Sequence, residues 1–342
     1  MKIAVGLSGG VDSSVAAFLL KQAGHEVTGI TMRIVEDFDT TGGDARRVAE
    51  HLEIPLHILD LRSEYEKTIL KYIREDYAAG RTPNPCVRCN HEVKFGLFIA
   101  RALESGLDFE KFATGHYARI RKNPETGRFG LSKGTFADKD QAYFLSLLVQ
   151  EQLARTVFPL GEMNKDEVRE IAKEAGLFTH KKGESQDLCL GNYRQFLVEG
   201  RGAGEFVDTS GKVLGQHKGI EHYTIGQRRG LGIGAGHPLY VLEIDTSSNR
   251  IILGLDEELA SDGMIIGDIS WGVVSQPALP YGGTVKIRYR DDGSPATLAE
   301  SLPEGEFRIL FDKPRRAVTP GQLAVFYQGE EVAFAGFIRR AI

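Results

Sequence analysis

The chain has little cysteine, one tryptophan, four methionines and no surplus of positive charge. Three cysteines in 342 residues cannot build a disulfide scaffold, so reduced thiols in a cytosol are expected. No apolar run approaches the roughly 18 residues that a membrane-spanning helix needs. The first residues, Met1 to Val5, enter a strand-like pattern with no basic-then-apolar leader, which predicts a cytoplasmic protein without a membrane partner. A formal net charge of −5 argues against coating nucleic acid through bulk charge, and no DNA partner is expected. A local basic face on an acidic body remains open. At 42% hydrophobic and 26% charged residues, the composition is that of an ordinary globular protein. The length exceeds one hydrophobic core and predicts two or three domains.

Short apolar runs alternate with amphipathic stretches over the first hundred residues. Residues 2–7, Val27 to Met32 and Leu56 to Leu61 read as strands, with helices over Val11 to Gln22, Ala45 to Leu52 and Ser63 to Ala79. Gly24 is a natural stop for the first helix. This rhythm predicts a doubly wound, mostly parallel sheet with ligands at the carboxyl ends of its strands. Residues 80–90 interrupt it with two prolines and two cysteines and read as a rigid loop, followed by a helix from His91 to Leu103. Lys111 to Thr114 reads as a further strand. Asn164 with Glu167 resembles a capping box for a helix over Lys165 to Ala175. After about Gly200 glycine becomes frequent, and from Ile265 strands alternate with turns, as expected of a small antiparallel barrel. The expected domains are residues 1–198, a small mixed or β unit over 199–264, and a C-terminal barrel over 265–342.

Ser8-Gly9-Gly10-Val11-Asp12-Ser13-Ser14 joins the first strand to the first helix. Two glycines let the backbone approach an anion, and the helix start offers exposed amides with roughly half a positive charge. Ser8, Ser13 and Ser14 can add hydroxyl donors. The pattern is neither the lysine-bearing Walker loop nor the spaced dinucleotide fingerprint. A bare Gly-Gly turn would be only a turn with a serine cap; the whole heptapeptide at the end of a strand points to phosphate. Ser-Gly-Gly-Val-Asp-Ser resembles the pyrophosphate loop of the ATP pyrophosphatase group, whose members adenylate a carbonyl oxygen. The resemblance implies an adenine nucleotide hydrolase-like fold and ATP bound by Gly6, Leu7, Ser8, Gly9 and Gly10. Val11, Asp12, Ser13, Met32 and Gly115 complete the implied ATP site. Asp12 would hold magnesium, a hard cation that prefers oxygen ligands.

The cysteines stand in polar, loop-like words: Cys86 and Cys89 as Cys-x-x-Cys, and Cys189 in Ser-Gln-Asp-Leu-Cys. A lone cysteine is ordinarily a small buried hydrophobe. Structural zinc needs four ligands, and only His91 or His116 could supplement the thiols. Two active readings stay open: a persulfide resolved by a second thiol, or three thiolates on a four-iron four-sulfur cluster with one iron open to sulfide.

Several words occur in order: Gly80-Arg-Thr-Pro-Asn-Pro, Thr114-Gly-His-Tyr-Ala118, Lys139-Asp-Gln-Ala-Tyr-Phe-Leu145, Ser185-Gln-Asp-Leu-Cys189 and Tyr223-Thr-Ile-Gly-Gln-Arg-Arg-Gly-Leu231. Together they closely resemble the tRNA-specific 2-thiouridylases, bacterial enzymes that thiolate the wobble uridine, over essentially the whole chain. The resemblance makes Cys189 the thiol that accepts activated sulfur and Cys89 its catalytic partner. It implies ATP and magnesium as cofactors, and a persulfide-carrying protein, a cysteine desulfurase or free sulfide as sulfur donor. One position departs from it. The family carries an acidic residue after Asn-Pro, where this chain has Cys86, a soft ligand or third redox thiol that favours the cluster reading. The connection between Met32 and Ala45 is also shorter than the family's.

A polyanionic tRNA needs local cations. Lys139, Arg228-Arg229, Lys286, Arg288 and Arg290, Lys313, Arg315-Arg316 and Arg339-Arg340 are the candidates, with residues 286, 288 and 290 expected on one strand face. Arg339-Arg340 reads as a solvated face. By resemblance, Lys139, Asp140, Gln141, Arg288, Tyr289, His116 and Gln322 contact the tRNA. Asn84 and Pro85, with Cys86, would lie beside the target base. The anticodon stem-loop is the natural target, because a base must leave its stack to reach a pocket. Competing readings are an amidotransferase-type synthetase with the same loop, which would need no thiols, and a non-enzymatic tRNA-binding module.

Overall fold

Alternating side chains on short strands build the first layer. The computed structural model describes residues 1–36, 39–183 and 202–342. Strand β1 (Lys2–Gly6) sends Ile3 and Val5 to one face and Ala4 to the other, so both faces must be covered by helices. Helix α1 (Val11–Gln22) spans the range its periodicity predicts. It ends at Gly24, whose φ of +81° only glycine adopts freely. Strand β2 (Glu26–Arg33), helix α2 (Asp39–His51) and strand β3 (Leu56–Asp60) follow. The next helix is not uniform: α3 (Arg62–Tyr65), a π-helical stretch (Glu66–Leu70) and α4 (Lys71–Ala78) run on without a break.

The segment expected to be a rigid loop over residues 80–90 is helical from its middle onward. Helix α5 (Pro85–Arg88), a π-helical stretch (Cys89–Leu97) and α6 (Phe98–Glu104) form one run. Asn84 is its cap, accepting the Val87 N–H at 3.4 Å, and Pro85 fills the first helical position, where a missing N–H costs nothing. Asn-Pro therefore starts a helix here, and Cys86 and Cys89 stand on it one turn apart.

Strand β4 (Lys111–Ala113), the hairpin β5 (Ala118–Lys122) and β6 (Phe129–Lys133), helices α7 (Ala142–Leu145) and α8 (Gln150–Arg155), strand β7 (Thr156–Val157) and helix α9 (Lys165–Glu174) complete this region. The expected capping box is present: Glu167 donates its N–H to Asn164 Oδ1 at 2.8 Å, and Asn164 N–H returns to the Glu167 carboxylate at 2.8 Å. The parallel sheet has the order β3-β2-β1-β4-β7. Strand order reverses between β1 and β4, which opens a crevice at their carboxyl ends.

Strands β8 (Gly204–Asp208), β9 (Val213–His217), β10 (Tyr240–Asp245) and β11 (Arg250–Gly254) form a small mixed sheet over Phe206, Val241, Ile251 and Leu253. The C-terminal strands are β12 (Ala260–Trp271), β13 (Tyr281–Lys286), β14 (Ser294–Ser301), β15 (Phe307–Arg316), β16 (Leu323–Gln328) and β17 (Glu331–Ala341). Pairing of β12 with β17 closes them into a six-stranded antiparallel barrel. The architecture is the doubly wound sheet, small central unit and barrel expected from the sequence.

The β5–β6 hairpin leaves the first region and joins the barrel edge, with Ser132 opposite Glu331. One apolar cluster holds Ala4, Ile30 and Phe112 of the parallel sheet, Leu131 and Tyr143, and Leu323, Val325 and Val332 of the barrel.

Candidate active site

The phosphate loop sits at the switch point. Gly9 has φ +75°, and a Cβ there would come 2.6 Å from Asp44 Cβ and 3.0 Å from the Ala45 nitrogen, so glycine is required and α2 closes against the loop. Gly10 is the N-cap of α1 and brings no side chain, so its first amides are available to an anion. Leu7 and Val11 are buried at 2% and 5% exposure, so what they offer a nucleotide is backbone. The hydroxyls fold inward. Ser14 is fully buried and donates to Gly10 O at 2.7 Å, which removes it from the expected donors, while Ser8 and Ser13 Oγ atoms lie 3.1 Å apart at the loop.

Gly115, after β4, meets this loop from across the crevice. A Cβ on it would stand 2.6 Å from the Asp12 carbonyl carbon and 2.7 Å from Ser13 N. The implied ATP residues Gly6 to Ser13 and Gly115 are thus brought together. Met32 lies at the carboxyl end of β2, facing Leu59 across the sheet.

Asp12 is not alone. Lys165 Nζ lies 2.6 and 2.8 Å from its two oxygens, and the Tyr117 hydroxyl donates to Oδ1 at 2.7 Å. On the far side of the loop, Lys182 donates to Gly9 O at 3.0 Å and pairs with Asp44. Of these partners only Tyr117 lies in a sequence word singled out above, Thr114-Gly-His-Tyr-Ala118; Lys165, Lys182 and Asp44 converge from elements far apart in the chain.

Cys86 is half-buried, and Cys89, 5% exposed, is packed with Tyr65, Ile69, Tyr72, Tyr77 and Val93. The polar, loop-like setting read for all three cysteines does not hold for Cys89, because the helix that Asn84 caps packs it against Tyr65 of α3 and Tyr72 of α4. Met32 packs against the same cluster. Cys189 lies outside the described residues. Among the described residues, no group of three His, Cys, Asp or Glu side chains could hold a metal ion.

The helix start is fastened by phenols. Asn84 N–H donates to Tyr72 Oη at 2.9 Å, and Asn84 Nδ2 stands 3.5 Å from Tyr143 Oη, which donates to Leu323 O at 3.0 Å. Burial, above all, pushes both phenols well above their ordinary pKa, so they stay protonated donors. Arg88 caps the Tyr72 ring at 4.4 Å.

The residues assigned to tRNA contact divide into two kinds. Asp140 is 6% exposed and its Oδ1 accepts from Gly134 and Ala142 N–H groups at 3.0 Å each. Gln141 Oε1 accepts from Tyr117 N at 3.0 Å, and the Gln322 amide donates to Thr82 and Pro83 carbonyls. These side chains shape the site's walls. His116 lies 2.7 Å from the Thr114 hydroxyl, between the Phe95 and Phe158 rings. Burial first, and the Lys94 ammonium second, hold it well below the ordinary histidine pKa. Tyr289, by contrast, is exposed and lies over Phe144 with ring centroids 4.3 Å apart, beside Lys139.

The three-cation strand face does not form. Strand β13 ends at Lys286, Ile287 is buried, and Arg288 and Arg290 stand exposed in the turn beyond. Asp291 makes that turn. Burial alone would raise its pKa, yet amides of Ile287 and Gly293 and the Arg315 guanidinium hold it below the ordinary value. Other cations are paired: Arg316 with Asp256, Arg339 with Asp268 and Arg340 with Glu306. Arg228 and Arg229 are exposed.

Family models match nearly the whole chain: a tRNA methyl transferase HUP domain over residues 1–192, a tRNA methyl transferase PRC-barrel domain over 194–255, and an aminomethyltransferase beta-barrel domain over 261–338. The tRNA-specific 2-thiouridylase MnmA of Geobacter metallireducens is 45% identical, covering 100% of this chain and 97% of the relative. That of Lachnoclostridium phytofermentans is 44% identical, covering 98% and 99%. The chain belongs to the tRNA-specific 2-thiouridylase family. The models' descriptions speak of methyl transfer, while these full-length 2-thiouridylase relatives are named for sulfur transfer. Among solved structures, a 4-thiouridine synthetase in complex with RNA and bound ATP is 22% identical with a TM-score of 0.39, covering 56% of this 2-thiouridylase-family chain and 44% of its own. No helix among the described residues is long and apolar enough to cross a membrane.

Proposed function

We propose that the protein is a tRNA-uridine 2-sulfurtransferase that uses ATP to replace the 2-oxygen of the wobble uridine with sulfur. A uracil carbonyl oxygen is a very poor leaving group. Transfer of AMP onto it from ATP, bound at Ser8 to Ser13, turns it into a phosphate-ester leaving group and releases pyrophosphate. The amides at the start of α1, left without side-chain partners by the Gly10 cap, stabilise the departing charge. Magnesium would accompany the nucleotide: Asp12, whose two oxygens Lys165 Nζ meets at 2.6 and 2.8 Å, would serve as its one carboxylate ligand once the ammonium turns to phosphate, and such ions ordinarily take one or two carboxylates plus phosphates. It would neutralise phosphate charge there.

Sulfur comes from the thiols. A persulfide on Cys189, loaded by a sulfur-donating partner, attacks C2 and expels AMP with the oxygen. The Cys89 thiolate then attacks Cys189 Sγ, frees the 2-thiouridine and leaves a disulfide that an external thiol reduces. The observation that carries this reading is the packing of Met32, at the nucleotide end of β2, against the cluster that contains Cys89. Exposed Tyr289, with Arg288, Arg290 and Lys139 around it, gives an anticodon loop a ring to stack on and cations for its phosphates.

Cys86 supports a second reading. It stands one helical turn from Cys89, so the two thiolates would hold an iron-sulfur cluster together with Cys189, and such a cluster supplies an iron open to inorganic sulfide. Anaerobic purification with iron and sulfide analysis separates the readings. Turnover of ATP, a sulfur source and an unmodified transcript must yield pyrophosphate and a thiolated uridine. Cys189→Ala that still turns over sinks the thiol chemistry and favours an amidotransferase-type synthetase.

A further inference from the structure

Lys165 stands where a helix least favours a cation. It follows the Asn164 cap as the first residue of α9, at the positive end of the helix dipole, whereas Asp166 and Glu167 beside it suit that end. Its side chain is nonetheless 11% exposed, with Nζ set against both Asp12 oxygens at 2.6 and 2.8 Å. Tyr117 holds the same carboxylate at 2.7 Å and places its ring 5.7 Å from Nζ. The ammonium therefore lies at Asp12, in the first turn of α1, beside the Tyr117 ring.

The loop itself contains no lysine or arginine from Ser8 to Ser14. Its amides and the helix end contribute only about half a positive charge, against the several negative charges of a triphosphate. A lysine delivered from 153 residues away supplies the compact point charge that a phosphate-binding loop elsewhere carries within its own motif. Resting on the ATP reading of the loop, we propose that Lys165 is a further nucleotide-binding residue, whose ammonium meets the pyrophosphate portion of ATP. Asp12 and Tyr117 hold it there. Exchange of the ammonium between carboxylate and phosphate oxygens replaces one anion by another, so the cation stays paired.

The competing role is a tie between α1 and α9. Calorimetric titration of the full chain with ATP, pyrophosphate and AMP, alongside thermal unfolding, distinguishes the two. For Lys165→Met, ATP and pyrophosphate affinities are expected to fall roughly ten- to a hundredfold, as for loss of a charged hydrogen bond. AMP affinity should hold, and Lys165→Arg should recover most of the loss. Lys165→Gln provides the same reading if the methionine variant is unstable. Unchanged affinities with a lowered melting temperature, or equal weakening for all three ligands, overturn the proposal in favour of the tie. Failure of the wild-type chain to bind ATP instead overturns the nucleotide reading itself.

Discussion

Gln322 donates its side-chain amide to two carbonyls of the segment before the cysteine helix, Thr82 at 3.0 Å and Pro83 at 3.1 Å. The same turn returns Pro320 O to the Thr82 N–H at 2.9 Å. Gly321 fits beneath it with φ +88°, where a Cβ would stand 2.8 Å from Thr82 O. The barrel thus fixes the approach to Asn84, and through Asn84 the start of the helix that carries Cys86 and Cys89.

Gln322→Ala removes this clamp. Two part-buried hydrogen bonds contribute about 1 kcal/mol each, so the melting temperature should drop by a few degrees. Single-turnover thiolation should slow about thirtyfold if each lost bond loosens the helix start by that amount, while ATP binding stays unchanged. A variant that thiolates at the wild-type rate shows that the clamp is dispensable.

Asn84→Ala removes the cap of α5 and should destabilise the chain by about 1 kcal/mol. Asn84→Asp keeps an acceptor for the Val87 N–H and should restore most of that. Denaturant unfolding of the three proteins checks the order; equal stabilities would mean that Pro85 alone starts the helix.

Gly115→Ala forces a Cβ to within 2.6 Å of the Asp12 backbone, and no flexible side chain is there to yield. The phosphate loop must shift, and ATP affinity should fall about five- to 150-fold with the fold retained, as for other overpacked contacts of about 1–3 kcal/mol. Gly234, where a Cβ would meet nothing within 4 Å, is the control, and its alanine variant should bind ATP normally.

His116 makes stability depend on pH. Burial and Lys94 keep its folded pKa well below 6.5, so on acidification the unfolded chain takes a proton before the folded one does. Its contribution is complete above about pH 6.5 and is lost below it, by up to about 1.4 kcal/mol per pH unit, until the folded imidazole also titrates. His116→Gln should flatten this acid limb in unfolding experiments between about pH 7.5 and 5.5, a window set by the ordinary histidine pKa. An unaltered slope would assign the limb to other groups.

Much of the site is legible locally, because a loop that must bring backbone to an anion announces itself in contiguous residues. Ser8 to Ser14 and the Asn164–Glu167 cap are of this kind. Asn84-Pro85 carries an equally local signal, but the same pair marks turns and helix starts alike, and the two cysteines beside it favoured the loop. The end of β13 is set by Asp291, whose acceptance of the Ile287 N–H outweighs the alternation of Lys286, Arg288 and Arg290. Lys165 and Lys182 leave no local trace of this role, and Tyr117 only its place in Thr114-Gly-His-Tyr-Ala118, since only the folding of the sheet brings them to Asp12 and Gly9.

The apolar cluster shared by Ile30, Leu131, Tyr143, Leu323 and Val332 bears on how force travels through the molecule. The change in composition after Gly200 looks like a seam, yet the hairpin of β5 and β6 crosses it and is cast into the barrel's edge. A load applied at Tyr289 therefore has a packed route through Phe144 and Tyr143 to Asn84, the cap of the cysteine helix.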